Sequence, residues 1–180
     1  MTIKSIILSI GIVAVVVGGF FAYMIYAPQG GVISGNEYID TSLGYKFTIP
    51  VGWEFQQEES GNVALKSEDK SAVVGIVVQP TLKGLDEYVT SEWNRIAINA
   101  EKEGGVKKMS ESDDMLSGHP AKKIEFQIMW DGTPVVAVMY ITSYRGIGYS
   151  AISFVLKEKQ PIHKRTIDSF FSSVTLTELD

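Results

Sequence analysis

AKKIEFQIMWDGTPVVAVMYITSYRGIGYSAISFVL, residues 121–156, is the stretch on which the fold turns. Ile124, Phe126, Ile128 and Trp130 alternate with polar residues, the two-residue period of a half-buried strand. Asp131-Gly132 then gives the strongest short hairpin signal, because both residue types tolerate the positive φ that a tight antiparallel turn needs. Val135–Tyr144 forms the return strand, Arg145-Gly146-Ile147-Gly148 supplies a second turn, and Tyr149–Leu156 a third strand. Upstream, roughly Val106–Met115 joins the same meander. Connections of this size imply antiparallel pairing.

Working outward toward the N-terminus, the strongest helix signal runs from Leu85 to about Glu103. Leu85, Tyr88, Val89, Trp93, Ile96, Ala97 and Ala100 share one stripe. Asp86 and Glu87 in the first turn oppose the helix dipole, Lys102 favours the last, and Gly104-Gly105 offers a left-handed stop. Before it, Ala72–Val78 (AVVGIVV) is apolar throughout, as suits a strand buried on both faces. Glu68–Ser71 reads as a turn, and Val63 and Leu65 as a short strand. Tyr45, Phe47 and Ile49 alternate up to Pro50-Val51-Gly52, and the chain resumes with Trp53 and Phe55. At the other end, Pro161 opens a closing helix with Ile167, Phe170, Phe171 and Val174 on its apolar side, after which Val174–Leu176 extends. The order β-β-α-β-β-β-β-α predicts an α+β class: an antiparallel β-sheet packed by two helices.

Ile6–Ala27 is almost wholly apolar, and no charged residue lies between Lys4 and Glu37. A helix rises about 1.5 Å per residue, so some 20 residues cross a hydrocarbon core of about 30 Å. Tyr23 and Tyr26 fall where amphipathic rings favour the interface, and the positive-inside rule keeps the end bearing Lys4 in the cytoplasm. The run is longer than the apolar region of a cleaved signal peptide, and Ile25 replaces the small residue that cleavage after Ala27 would prefer. The expected organisation is a short cytoplasmic N-terminus at 1–5, a transmembrane helix at 6–27, a flexible tether at 28–36 and an extracytoplasmic domain at 37–180. The glycines and proline of PQGGVISG, residues 28–35, suggest the tether.

Of 16 Lys and Arg, all but Lys4 follow Asn36, as do all 21 Asp and Glu. An acidic domain is a poor nucleic-acid binder, since phosphate contacts need a basic face. With no cysteine, disulfides, thiolate metal sites and Cys nucleophiles are all excluded.

Few motifs suggest chemistry, and each has a plainer reading beside it. Gly146-Ile-Gly148-Tyr-Ser-Ala151 matches G-x-G-x-x-A, but that fingerprint needs a helix after it, and here Ile152, Phe154 and Leu156 alternate as in a strand. A hairpin turn is the better reading, so no nucleotide is expected. Gly148-Tyr-Ser150 begins like a nucleophile elbow, yet Ile152 replaces the second glycine. His119 and His163 have no acidic partner at a recognisable spacing and read as surface or capping residues. Glu111, Asp113 and Asp114 could hold a hard cation, against the plainer reading of a solvated acidic turn. Trp53, Trp93 and Trp130 fall on apolar faces and read as core. The expectation is no cofactor, no metal and no catalytic set.

The opening Gly44-Tyr-Lys-Phe-Thr-Ile-Pro-Val-Gly-Trp53, the Gly118-His-Pro-Ala121 turn and the late Ser169-Phe-Phe-Ser-Ser-Val174 helix end are together familiar. In these the chain resembles the PsbP-like family, over roughly Tyr38 to Leu176. The resemblance implies the PsbP-like fold and non-enzymatic binding, since the wider fold includes an extrinsic photosystem subunit and a regulator of the GTPase Ran. The expectation is therefore a membrane-anchored, non-catalytic interaction module that binds or stabilises another membrane-associated protein or complex. The alternative is a carrier or sensor of a small apolar ligand in a pocket between sheet and helix. The segment Gly104–Gly118, with Lys107, Lys108, Glu111, Asp113 and Asp114, is the expected contact surface, read as a polar loop of mixed charge.

Overall fold

The computed structural model describes residues 30–57, 62–101 and 104–177. The expected transmembrane helix at 6–27 lies outside them. Among the described residues no helix is long and apolar enough to cross a membrane.

Eleven strands, two α-helices and one short 3-10 turn (Lys157–Lys159) are described, all strand pairs being antiparallel. The strands are β1 (Val32–Ser34), β2 (Glu37–Asp40), β3 (Tyr45–Thr48), β4 (Glu54–Gln57), β5 (Val63–Lys66), β6 (Ala72–Pro80), β7 (Val106–Leu116), β8 (His119–Trp130), β9 (Thr133–Tyr144), β10 (Ile147–Leu156) and β11 (Thr175–Leu176). Helix α1 (Leu85–Glu101) follows β6, and α2 (Gln160–Ser173) follows β10. The α+β class is as expected, but the strands make two sheets instead of one: β4-β5-β6-β10-β9-β8-β7 and β1-β2-β3-β11.

The meander β7–β10 is joined by three two-residue turns, Ser117-Gly118, Asp131-Gly132 and Arg145-Gly146, and all six residues have positive φ. This is the type I′ geometry whose twist matches that of paired strands. Side-chain alternation then sorts the large sheet into two faces. Ile124, Phe126, Ile128, Trp130, Ala137, Met139, Ile152 and Phe154 meet Tyr88, Val89 and Ala100 of α1. On the reverse face, Val74, Ile76, Tyr149 and Ala151 meet Tyr38, Tyr45 and Phe47 of the small sheet and Ile167, Phe170 and Phe171 of α2. Strand β6 serves both cores, and Ala72–Val78 is buried throughout.

The fold begins earlier than the expected tether at 28–36 allows, because β1 lies within that range and pairs with β2 through Ile33↔Tyr38. The Gly31 amide also donates to the Tyr38 hydroxyl at 3.1 Å. Glycine content suggested a linker, but here Gly31 lets the backbone pass close to Tyr38, whose ring would lie 2.5 Å from an added Cβ.

Candidate functional site

The segment expected as the contact surface is the long edge strand β7, which agrees with the meander strand expected at Val106–Met115 but not with a loop over the whole of Gly104–Gly118. It has a free side beyond β8, and the pairing register shifts between Lys108 and Ser110, a β-bulge at Met109. Being exposed along nearly its whole length, it lacks the alternation that marks a half-buried strand. Lys107, Lys108, Glu111, Asp113 and Asp114 are all exposed, but the strand divides them between two faces. Lys108, Glu111 and Asp113 share a face with Phe126, Ile124 and Lys122; Lys107 and Asp114 lie opposite Gln127 and Ala121 on the other. Lys108 sits 4.4 Å above the Trp93 ring and pairs with Glu111 at 2.6 Å. Asp113 pairs with Lys122 at 2.6 Å, and its carboxylate raises the Lys122 ammonium pKa. Glu111 and Asp113 thus have lysine partners and Asp114 faces away, which does not make a cation cage. Among the described residues no three His, Asp or Glu side chains are grouped to hold a metal ion. Charges and a bulge are also how sheets discourage edge-to-edge pairing, and β7 has both.

Beneath α1 the expected ligand pocket is a cavity of about 30 Å³ between Val77, Arg95, Met139, Ser150 and Phe154. One water fits such a space, whereas small-molecule sites are about 300 Å³ or larger. Elsewhere beneath α1, Gly148 lets the helix pack closely on the sheet: an added Cβ would lie 2.2 Å from the Tyr88 ring. The second glycine of the G-x-G pattern therefore makes room for a helix side chain. Tyr88 in turn accepts a hydrogen bond from Gln79 at 3.2 Å and lies 3.4 Å from Ser150 Oγ. Gln79 also donates to buried Glu92 at 2.6 Å, and Arg95 pairs with Glu92 at 2.7 Å.

The third region was not anticipated. At the end of the large sheet remote from Gly30, the β3–β4 turn, the β5–β6 turn and the start of α2 enclose an open groove of about 540 Å³. Val51, Gly52, Trp53, Ser67, Glu68, Asp69, Ile162 and His163 line it. Val51 is 96% and Ile162 66% exposed, so two aliphatic side chains stand in solvent at its rim. Trp53, expected in the core, is half-buried there and meets the edge of His163 with ring centroids 5.8 Å apart.

His163, expected as a surface or capping residue, is buried, and its partners come from the β5–β6 turn. Its Nε2 lies 2.8 Å from Ser71 Oγ and 3.4 Å from Asp69 Oδ1. Asp69 accepts from the Ser71 and Ser67 hydroxyls, each at 2.7 Å, and from the Ser71 amide at 3.1 Å. Partial burial pushes the Asp69 carboxyl up, but Ser71, Ser67 and His163 outweigh it and bring the pKa down to about 2. The three residue types of a hydrolase triad are present in the wrong arrangement. Ser71 and Asp69 both approach Nε2 of His163, whereas a triad sets its acid on the other ring nitrogen, so Asp69 is not placed to back a His163–Ser71 relay. Ser71 is also buried, at 3% exposure. The cluster fixes the groove floor. No sequence spacing could have found it, because Ser71 and His163 are 92 residues apart.

No family model matches the chain, and no curated protein matches it by sequence. Solved structures do. The cyanobacterial PsbP (CyanoP) of Synechocystis sp. PCC 6803 is similar with a TM-score of 0.62 and 14% identity, over 81% of this chain and 98% of that one. LpqN of Mycobacterium tuberculosis, described as involved in cell envelope biogenesis, gives 0.52 and 10% identity over 74% and 83%. The Saccharomyces cerevisiae Ran-binding protein Mog1p gives 0.52 and 7% identity over 75% and 91%. At these identities the likeness is one of fold, and the chain has the PsbP-like fold.

Proposed function

We propose that this protein is a membrane-anchored, non-catalytic interaction module. Its N-terminus is cytoplasmic, residues 6–27 span the bilayer, and the extracytoplasmic domain binds or stabilises another membrane-associated protein. The carrying observation is the groove, where Val51 and Ile162 stand exposed beside Trp53 on a floor braced by Asp69, Ser71 and His163. A tryptophan flanked by exposed aliphatic side chains suits a protein contact, with Trp53 as the aromatic anchor. Anchoring strengthens a weak contact of this kind, because partners confined to one bilayer meet at raised effective concentration. The yeast neighbour, a protein of the same fold, is named for binding a protein partner. The cavity of about 30 Å³ beneath α1 weighs against the carrier reading.

A second contact surface is the β7 edge, favoured by its free backbone side and the mixed charge of Lys107, Lys108, Glu111, Asp113 and Asp114. Because the chain has no cysteine, photocrosslinkers attached to single cysteines at Val51, Ile162, Lys107 and Asp114 can be compared in intact membranes. A partner captured from Val51 and Ile162, and lost in Ile162→Asp, supports the groove. Capture only from Lys107 and Asp114, lost on reversing Lys107, Lys108, Asp113 and Asp114, moves the contact to β7. Absence of any crosslinked protein from all four positions defeats the interaction reading.

A further inference from the structure

Given the anchor just proposed, we infer that the β6–α1 loop and the β9–β10 turn rest on the headgroup layer of the bilayer, with Leu82 inserted into it. The inference starts from where the folded chain begins. Gly30 lies against Gln57, where an added Cβ would be 2.5 Å from Nε2, and the Gly31 amide is held by Tyr38. Only Pro28 and Gln29 separate Gly30 from Ala27, the last residue of the apolar run. Three Cα-to-Cα steps reach at most about 10 Å.

The large sheet extends farther than that. Gln57 is in register with Val63, and Val63 with Ile76, while β6 continues four residues to Pro80. At about 3.3 Å per residue, the tips of β6 and β10 overhang the level of Gln57 by roughly 13 Å. The Thr81 amide donates to the Gly146 carbonyl at 2.8 Å, which ties the loop to the β9–β10 turn at this tip. A tether of about 10 Å cannot lift an overhang of roughly 13 Å clear of a headgroup layer several ångströms thick while the strands stand near the membrane normal.

The tip is suited to that contact. Leu82 is fully exposed, at 104%, and Lys83 and Arg145 beside it are exposed cations. Asp86 and Glu87 follow in the first turn of α1, so the end has both signs of charge and matches a zwitterionic lipid surface better than a strongly anionic one. The groove is at the other end, beside Ala72, about 26 Å along β6 from Pro80. Docking by Leu82 thus turns Val51 and Ile162 away from the bilayer, toward a partner's protruding domain.

The absence of cysteine allows a direct test on the full chain. Leu82→Cys and Ile162→Cys, both at exposed positions, are each nitroxide-labelled in phosphatidylcholine vesicles, and label access to oxygen and to an aqueous nickel chelate is measured by electron paramagnetic resonance. The ratio of oxygen to nickel access should be severalfold higher at 82 than at 162. Equal aqueous access at both positions, in chain that sediments with the vesicles, overturns the docking and leaves the anchor standing. A higher ratio at 162 overturns it by reversing the orientation. Chain that stays in the supernatant overturns the anchor and the docking together.

Discussion

Gly148→Ala should destabilise the domain far more than one methyl group suggests. The glycine has no positive φ to protect, so the cost is steric: the new Cβ would lie 2.2 Å from Tyr88 Cζ and 2.6 Å from its hydroxyl. Tyr88 is 1% exposed and cannot swing aside without lifting the first turns of α1. Overpacking of this kind costs about 1–3 kcal/mol. Displacing the ring also strains its bond from Gln79 at 3.2 Å and its contact with Ser150 at 3.4 Å, adding about 1 kcal/mol. A total near 3 kcal/mol corresponds to a fall in Tm of roughly 10 °C for a domain of this size. Thermal and urea unfolding of a fragment comprising residues 30–180 gives the measurement, and Tyr88→Leu completes a double-mutant cycle. In the Tyr88→Leu background the alanine should cost at least about 1 kcal/mol less, since the obstacle has gone. An equal cost in both backgrounds, or a cost below about 0.5 kcal/mol in the parent, would refute the assignment of Gly148 to helix packing.

A fragment beginning at Asn36 should unfold several degrees below one beginning at Gly30, since it loses β1 and the Gly31–Tyr38 bond, together about 1–2 kcal/mol. Asp69 has a folded pKa of about 2 against an ordinary 3.8, a depressed value, so its contribution is complete above pH 3.8 and is lost as pH falls toward 2. With 46% of the side chain exposed, screening reduces that contribution to about 1 kcal/mol, and stability of Asp69→Asn should vary less with pH in that window. A slope identical to that of the parent would show that the carboxylate is not held by its serines. Lys108→Ala should cost about 0.5–1 kcal/mol in urea unfolding, through loss of its seat over Trp93 and its partner Glu111.

The parts of the fold that were legible in the sequence are those specified by near neighbours. The β8–β10 strands announce themselves by two-residue alternation and by Asp131-Gly132 and Arg145-Gly146, and α1 by its stripe and acidic first turn. The small sheet was hidden because β1 and β11 are only three and two residues long and the partner of β11 is remote, Leu176 pairing with Tyr45. Strand β7 was legible as a strand at Val106–Met115, but an edge exposed on both faces loses alternation, and its charges suggested a polar loop where a continuous strand divides them between two faces. The groove was invisible for a third reason. Its floor joins Asp69 and Ser71 to His163 across the whole meander, and its rim residues Val51 and Ile162 are single aliphatics more than a hundred residues apart in the sequence.

The remoteness of β11 also constrains the order in which the protein can be assembled. The meander from Val106 to Leu156 is contiguous and tied by short turns, so it can form while most of its loop-closure entropy is small. The second core has no such shortcut. Tyr45 and Phe47 are enclosed by Phe170 and Leu176, more than a hundred residues downstream, and Leu176 is itself pinned by a bond from its amide to Ser117 Oγ at 2.9 Å. Until those late residues arrive, one face of the large sheet has its aromatics uncovered and is a surface for chaperones or for aggregation. The last strand, two residues long, is therefore the latch that ends this vulnerable interval.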